Sequence, residues 1–467
     1  MRIFFIIFFL QIGIIVSQGK SLWDSRSEPY DTVKTAVEEV HNLKEWFRYG
    51  NTNGHLRNFF MATVNKGSLA DYYANAAGAS LSYHTATWNG LKMGIGGYFT
   101  YHIFSNDLTR QDPVVGKMSR FERQLFDLRD SSNKDDMDAL QELYISYTKE
   151  KISLKLGKTS VKTPLINAPD GRMNSYGVGG VYTEYAFIPR TRLMVGWFNS
   201  FMSWGINRWY STRETIGLYG NGRNVVGIPY HYQGALNTDW VGMLSVQYVK
   251  GDARVQLWDY LIDNVQNSIF LQADYKKNGV LTGFQYLNQR AIHGGGSSDP
   301  LERYYEPDEQ AHVFGVRVGK EEKHFEVTAN ALHALNTGRF IFPRELGRED
   351  FYTSLARTRL EGLGGFTSLA LKINFFPLSS KTLNAGLYVA RNYTPAPENY
   401  RLNKYGLNSF NQLNIDIQYD MEALLKGTRL RFMYVTKDIF NDIAETPENL
   451  FNNAGFHHFN LITNINF

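Results

Sequence analysis

Cationic side chains recur along this chain at positions flanked by apolar ones: Lys92, Lys155, Arg192, Arg254, Arg317, Lys372, Arg429 and Arg431. Glu142, Glu184, Asp274, Glu326, Asp416 and Asp420 occupy equivalent alternating positions. Fixed cations along one surface attract anions, and acids interleaved with them orient whatever carries both charges. The same charges could instead pair with one another and hydrate a wet face without preference; both readings stand at this level. A smaller group, Lys158, Asp170 and Arg172, falls in an irregular polar stretch. Asp170 and Arg172 either hold that stretch in shape through a mutual ion pair or turn towards a solute.

Covalent and metal chemistry find little support. The chain has no Cys, which removes thiol catalysis, disulfides, Cys-ligated zinc and iron–sulfur clusters together. Gly-x-Ser-x-Gly, His-Glu-x-x-His and Gly-x-x-x-x-Gly-Lys-Ser/Thr motifs are absent from the sequence. His84 is in phase with Ser80 and Ser82, a coincidence that polar alternating runs produce freely. Gly94 to Gly97 and Gly177 to Gly180 sit in extended runs, where small residues fit sheet curvature better than they fit a dinucleotide. Asn133 to Asp138 is acidic without calcium-loop spacing and reads as a solvated loop. The expectation is a protein that is not an enzyme and needs no cofactor or metal.

The elements that carry these residues are strands. Leu91, Met93, Ile95, Phe99, Tyr101 and Ile103 alternate with Lys92, Gly94, Gly96, Thr100 and His102. Similar period-two runs of about ten residues surround Leu154, Leu371, Ile415 and Phe432. Short links with turn chemistry, at Trp88–Gly90, Lys250–Asp252, Lys276–Gly279, Glu321–His324 and Pro377–Lys381, take turns with long polar segments. Those segments are 105–137, 159–178, 202–239, 290–309, 336–365, 392–411 and 438–457, with a tight link at Asp263-Asn264 in one long slot. About eighteen strands follow from this count.

Phase alone fits either a soluble sandwich or a wide barrel; the chain ends decide. Residues 1–19 carry Arg2, an apolar run from Ile3 to Val16 and small exit residues Ser17 and Gly19, the pattern of a cleaved secretory signal peptide. In the last strand Phe459, Leu461, Thr463, Ile465 and the terminal Phe467 share a face, which resembles the signal read by the outer-membrane barrel assembly machinery. Residues 20–54 form a lead-in segment in which Val33, Val37, Val40, Leu43 and Phe47 predict one amphipathic helix at the barrel mouth, with Thr35 to Glu38 at capping-box spacing. The expectation is an all-β transmembrane antiparallel barrel over 55–467 in a Gram-negative outer membrane. Composition agrees, since 31 Phe, 29 Tyr, 8 Trp and 41 Gly coexist with a net-polar mean hydropathy, as two unlike faces would give. Tyr98, Tyr101, Trp240, Tyr248 and Tyr419 are expected at the membrane interfaces, and Tyr144 and Tyr388 in the lumen.

Gly157-Lys158, Thr163-Pro164 and Asp170-Gly171-Arg172-Met173 resemble the third-loop segment of OprD-type substrate-specific porins, with Lys158 where Arg is usual. Asp71 to Leu81 and Gly96 to Tyr101 resemble that family's early strands, and the likeness runs over 55–467. The resemblance implies an eighteen-stranded channel, a third loop folded inward as a constriction, and passive uptake of small hydrophilic solutes. It also implies a basic ladder guiding carboxylates or amino acids. On this reading the pore and constriction residues are Lys155, Lys158, Asp170, Arg172, Arg192, Arg254, Arg317, Lys372, Asp416, Arg429 and Arg431. The partners are outer-membrane lipid, the assembly machinery and small solutes. Two other classes remain: a barrel enzyme of lipase or protease type, and an adhesin or receptor using loops 202–239 and 336–365. Nucleic-acid binding has no support at a net charge of +4.

Overall fold

A computed structural model describes residues 40–467 except 168–171, 175, 187, 221, 379–381, 422–423 and 441–445. The period-two runs pair into one antiparallel sheet. Its first half comprises β1 (Asn51–Asn65), β2 (Tyr72–His84), β3 (Leu91–Ser105), β4 (Met137–Lys149), β5 (Ile152–Thr159), β6 (Gly177–Tyr185), β7 (Thr191–Met202), β8 (Tyr210–Ser211), β9 (Val241–Lys250) and β10 (Ala253–Ile262). The second half comprises β11 (Gln266–Lys277), β12 (Val280–Ala291), β13 (Gln310–Glu321), β14 (Phe325–Ala334), β15 (Thr367–Phe375), β16 (Leu383–Tyr393), β17 (Phe410–Asp420), β18 (Thr428–Ile439) and β19 (Phe456–Asn466). β8 is a two-residue ribbon on the end of β7, which continues to β9 with Arg192 opposite Gln247. His55 of β1 faces Ser80 of β2 on one side and Asn466 of β19 on the other, so the remaining eighteen strands close without a free edge. The wall begins at Asn51, slightly ahead of residue 55.

Links 85–90, 150–151, 186–190, 251–252, 278–279, 322–324, 376–382 and 421–427 lie at one end of the barrel. Links 66–71, 106–136, 160–176, 203–240, 263–265, 292–309, 335–366, 394–409 and 440–455 lie at the other. The rhythm read from the sequence is present, with one further loop-end link, 66–71, too short for the sequence to mark. At the turn end, Asn278 and Gly279 both have positive φ, 49° and 77°, the conformation a two-residue hairpin needs and Asn-Gly supplies.

Exposure is inverted relative to a soluble protein. Leu81, Val316 and Val318 on the outer face are 59%, 52% and 57% exposed, whereas Gln285 and Gln289 on the inner face are buried. An apolar outside and a polar inside suit a wall with lipid around it and water within. Tyr101 and Tyr248 lie on the outer face as expected. Tyr98 does not: even-numbered β3 residues point inward, and its buried hydroxyl bonds Asn207 at 3.1 Å and accepts from Asn174 at 2.9 Å. Tyr144 and Tyr388 face inward as expected, the latter bonding Asn374 at 2.7 Å.

The lead-in helix, α1, covers Leu43–Arg48, with Asn42 as its N-cap accepting from the Glu45 amide at 3.0 Å. Trp46 is its buried residue, 6.0 Å from Trp88 and donating to the Leu91 carbonyl, while Leu43 and Phe47 are exposed. The stripe expected from Val33 to Phe47 is therefore not the packed face of the described helix; its first part, the Thr35–Glu38 spacing and the signal peptide lie outside the described residues.

The long segments are less polar in their burial than in their composition. Ile206, Ile216, Tyr230, Tyr232, Leu236, Tyr304, Phe340, Ile341, Phe342 and Leu346 from links 203–240, 292–309 and 335–366 join inward-facing wall residues in one apolar core at the loop end. A barrel this wide cannot be filled by wall side chains alone, so chain from the loops supplies the rest.

Candidate functional site

Six inward-facing positions form a connected arc on the wall. Arg254 of β10 donates to Gln247 of β9 at 3.1 Å and stands opposite Asp274 of β11. Asp274 reaches across β12 to Arg317 of β13 at 2.6 Å. The residue between them on β12 is Gly283. A Cβ there would sit 2.4 Å from the Tyr352 hydroxyl and 3.0 Å from the Asp274 carboxylate. The missing side chain lets Tyr352 of link 335–366 donate to Asp274 at 2.7 Å, with the Arg317 guanidinium 4.4 Å from its ring. Lys372 of β15 continues the arc, donating to the Ser354 carbonyl at 2.9 Å.

Arg431 of β18 grips Asp416 of β17, two strands beyond Lys372, with both arms, at 2.8 and 2.5 Å. Arg429 does the same to Asp420, through Nε and, at 3.1 Å, Nη2. Forked pairs of this kind fix the guanidinium plane. Arg192 pairs with Glu184, which also accepts from the Tyr182 hydroxyl. The Lys155 ammonium lies 4.3 Å from the Tyr144 ring centre and 3.4 Å from Thr159 Oγ1. These wall cations share the inner face, and four of them, Arg192, Arg317, Arg429 and Arg431, are held by neighbouring carboxylates.

The third-loop group is placed differently. Lys158 stacks over Trp209 at 4.7 Å. Arg172 is buried, forked onto Gln124 Oε1 at 3.2 and 2.7 Å and 5.5 Å from the Trp204 ring. It ties link 160–176 to links 106–136 and 203–240. Asp170 lies outside the described residues. The third loop does enter the barrel: Leu165 and Ile166 are buried, Tyr260 of the wall donates to Thr163 at 2.9 Å, and Asn167 bonds the Arg348 backbone.

Link 335–366 crosses much more of the interior. Beyond Tyr352 and Ser354, the Ala356 carbonyl accepts from Gln412 of β17 at 2.8 Å, Lys437 of β18 donates to the Arg357 carbonyl at 2.7 Å, and Arg357 reaches His458 and Asn460 of β19. None of Tyr352, Ser354, Arg357 or His458 stood out in the sequence. The one available signal was the density of arginines at 344, 348, 357 and 359 in a supposedly solvated loop.

Hydrolase geometry is not assembled at His84. Its two ring nitrogens meet Glu142 at 2.8 Å and Asn53 at 3.2 Å rather than Ser80 or Ser82. Asn133 uses its side chain on the Asp136 backbone, closing a turn.

No family model and no curated protein matches the sequence. Solved structures do match over nearly the whole barrel. OccAB4 of Acinetobacter baumannii is 13% identical with a TM-score of 0.67, over 90% of this chain and 98% of that one. OccK8 (OprE) of Pseudomonas aeruginosa is 12% identical with a TM-score of 0.67, over 90% and 99%. OpdK of Pseudomonas aeruginosa, solved with vanillate, is 12% identical with a TM-score of 0.65, over 90% and 99%. At these identities the likeness establishes a common fold, the eighteen-stranded barrel.

Proposed function

We propose that this chain is an outer-membrane porin of the OprD type, passing small hydrophilic solutes by passive diffusion and favouring those that carry a carboxylate. The observation that carries the proposal is the wall itself: an apolar outer face, a closed ring of strands, and a lumen side where Arg254, Arg317 and Lys372 follow one another around the arc. Immobile cations in a narrow wet passage lower the barrier for anions more than for cations, because little bulk water screens them there. The alternating acids, Asp274, Asp416 and Glu184, suit solutes bearing an ammonium as well as a carboxylate, such as amino acids. The vanillate bound by OpdK is a small aromatic carboxylate, in keeping with this class of solute. In this reading residues 1–19 are removed on export, residues 20–54 lie at the periplasmic mouth, Phe467 presents the assembly signal, and the barrel performs no covalent chemistry.

Planar-bilayer recording with liposome swelling tests it. Conductance with an anion-leaning reversal potential in a salt gradient is expected, together with faster swelling in small carboxylates than in sugars of equal size. Arg429→Ala with Arg431→Ala should move the reversal potential towards cation preference. An unchanged potential puts selectivity elsewhere, and an absence of conductance removes the channel reading.

A further inference from the structure

Three parts of the chain meet inside the barrel at His458 of β19. Link 335–366 brings Arg357, whose Nε lies 2.9 Å from His458 Nε2 and whose Nη2 donates to Asn460 at 2.6 Å. The helical turn Glu122–Leu125 of link 106–136 brings Glu122, whose carboxylate lies 3.7 Å from His458 Nδ1 and accepts from Ser119 at 2.6 Å. β1 brings Thr63, with Oγ1 2.8 Å from His458 Nδ1 and in contact with Glu122. His458 and Glu122 are fully buried, and the Phe121 ring lies 4.8 Å from the imidazole.

These contacts define the tautomer. Arginine always carries its protons, so Arg357 Nε is a donor and His458 Nε2 must present a lone pair. The ring hydrogen then sits on Nδ1 and is donated to Thr63, whose own hydroxyl hydrogen goes to Glu122. Every hydrogen bond in the chain has one direction, and one of them, from Arg357 Nε to His458 Nε2, requires a neutral imidazole.

We propose that His458 is an acid-sensitive latch holding link 335–366 against the barrel wall; this deepens, and rests on, the channel reading. A second proton on His458 must go to Nε2, where it faces the Arg357 N–H and abolishes that bond. Arg357, Lys437, Arg120 and Arg348 already crowd this corner with positive charge, so the new cation is repelled on the loop side. On the other side Glu122 welcomes it. Protonation and the Arg357 contact exclude each other, so by linkage acid favours the released loop. Arg357 itself has φ +65°, a left-handed conformation costly for a side-chain-bearing residue and retained only while its contacts hold it. With the Gln412 and Lys437 bonds to the Ala356 and Arg357 carbonyls left to hold it, the segment detaches more often, and with the wall behind it moves towards the lumen and closes the path.

Single-channel recording of the whole protein from pH 7.5 to pH 5 reads this out. Closures should become more frequent as pH falls, by at most about tenfold per pH unit for one linked proton. His458→Gln keeps an acceptor for Arg357 but cannot be protonated, and should flatten that dependence. Arg357→Gly suits the left-handed backbone and removes the tether, so it should close frequently even at pH 7.5. A closure rate independent of pH, or a His458→Gln variant with the parent profile, overturns the latch. No conductance at any pH overturns the channel reading instead.

Discussion

Gly283 shows how a single omitted side chain organises the arc. Asp274, Arg317 and Tyr352 come from two strands and a loop, and they converge over the one wall position where a Cβ would strike two of them. Gly283→Ala should expel the Tyr352 hydroxyl and destabilise the barrel by about 1–3 kcal/mol, the usual range for overpacking. The loss is read as a lower urea midpoint in lipid vesicles. Tyr352→Ala removes both the oxygen and the ring carbon Cζ, 2.6 Å from the new Cβ, that clash, so the double variant should cost less than the sum of the two singles. Strict additivity would mean that the close approach is relieved some other way. The positions of Arg254, Arg317 and Lys372 on the inner face were legible from period two alone. Their partners were not, because Tyr352 and Ser354 arrive from a segment with no period to read.

Links 203–240, 292–309, 335–366 and 394–409 behave as one packed element rather than as separate loops. Arg339 is fully buried and forked onto Glu309 at 2.8 and 2.9 Å. Lys404 of the last of these links lies among the rings of Tyr230, Tyr232, Tyr304 and Tyr405, each within 4.8–5.8 Å. Burial holds its ammonium down to about 8, against the pull of Glu361 at 3.8 Å. The two cations should therefore respond differently to removal. Arg339→Met strands a buried Glu309 and should cost about 3–5 kcal/mol. Glu361, by contrast, keeps Arg344 at 2.5 Å and Tyr405 at 3.0 Å when Lys404 is lost, so Lys404→Met should cost clearly less. Limited proteolysis of the intact protein ranks them, with cleavage in 292–309 and 335–366 appearing first in Arg339→Met. Equal sensitivity would contradict the ranking. The sequence announced these links by their length and turn residues and labelled them polar. Their shared core, including Tyr232, Phe340 and Leu346, follows no repeat along the chain, and only the closed wall brings it together.

At the scale of the whole molecule, the sequence was most legible where the physics is periodic. Strand phase marks which residues share a face, and eighteen alternating runs with two unlike kinds of link leave few closed arrangements. What phase cannot supply is which face meets water, since a soluble barrel and a membrane barrel differ only in the surroundings of the same wall. Charge placed on each face distinguishes them. Val316 lies near the middle of β13 on the outer face, 52% exposed, while Ser80 of β2 points into the lumen, opposite His55. With lipid outside, Val316→Arg must carry a guanidinium into hydrocarbon and should cost about 2–4 kcal/mol. Ser80→Arg, wetted from the lumen, should change stability by about 0.5 kcal/mol or less. Folding into lipid vesicles under a urea gradient measures both. If Val316→Arg proved as mild as Ser80→Arg, the outer face would be in water, and the inverted exposure of this wall would need a protein partner rather than a bilayer to cover it.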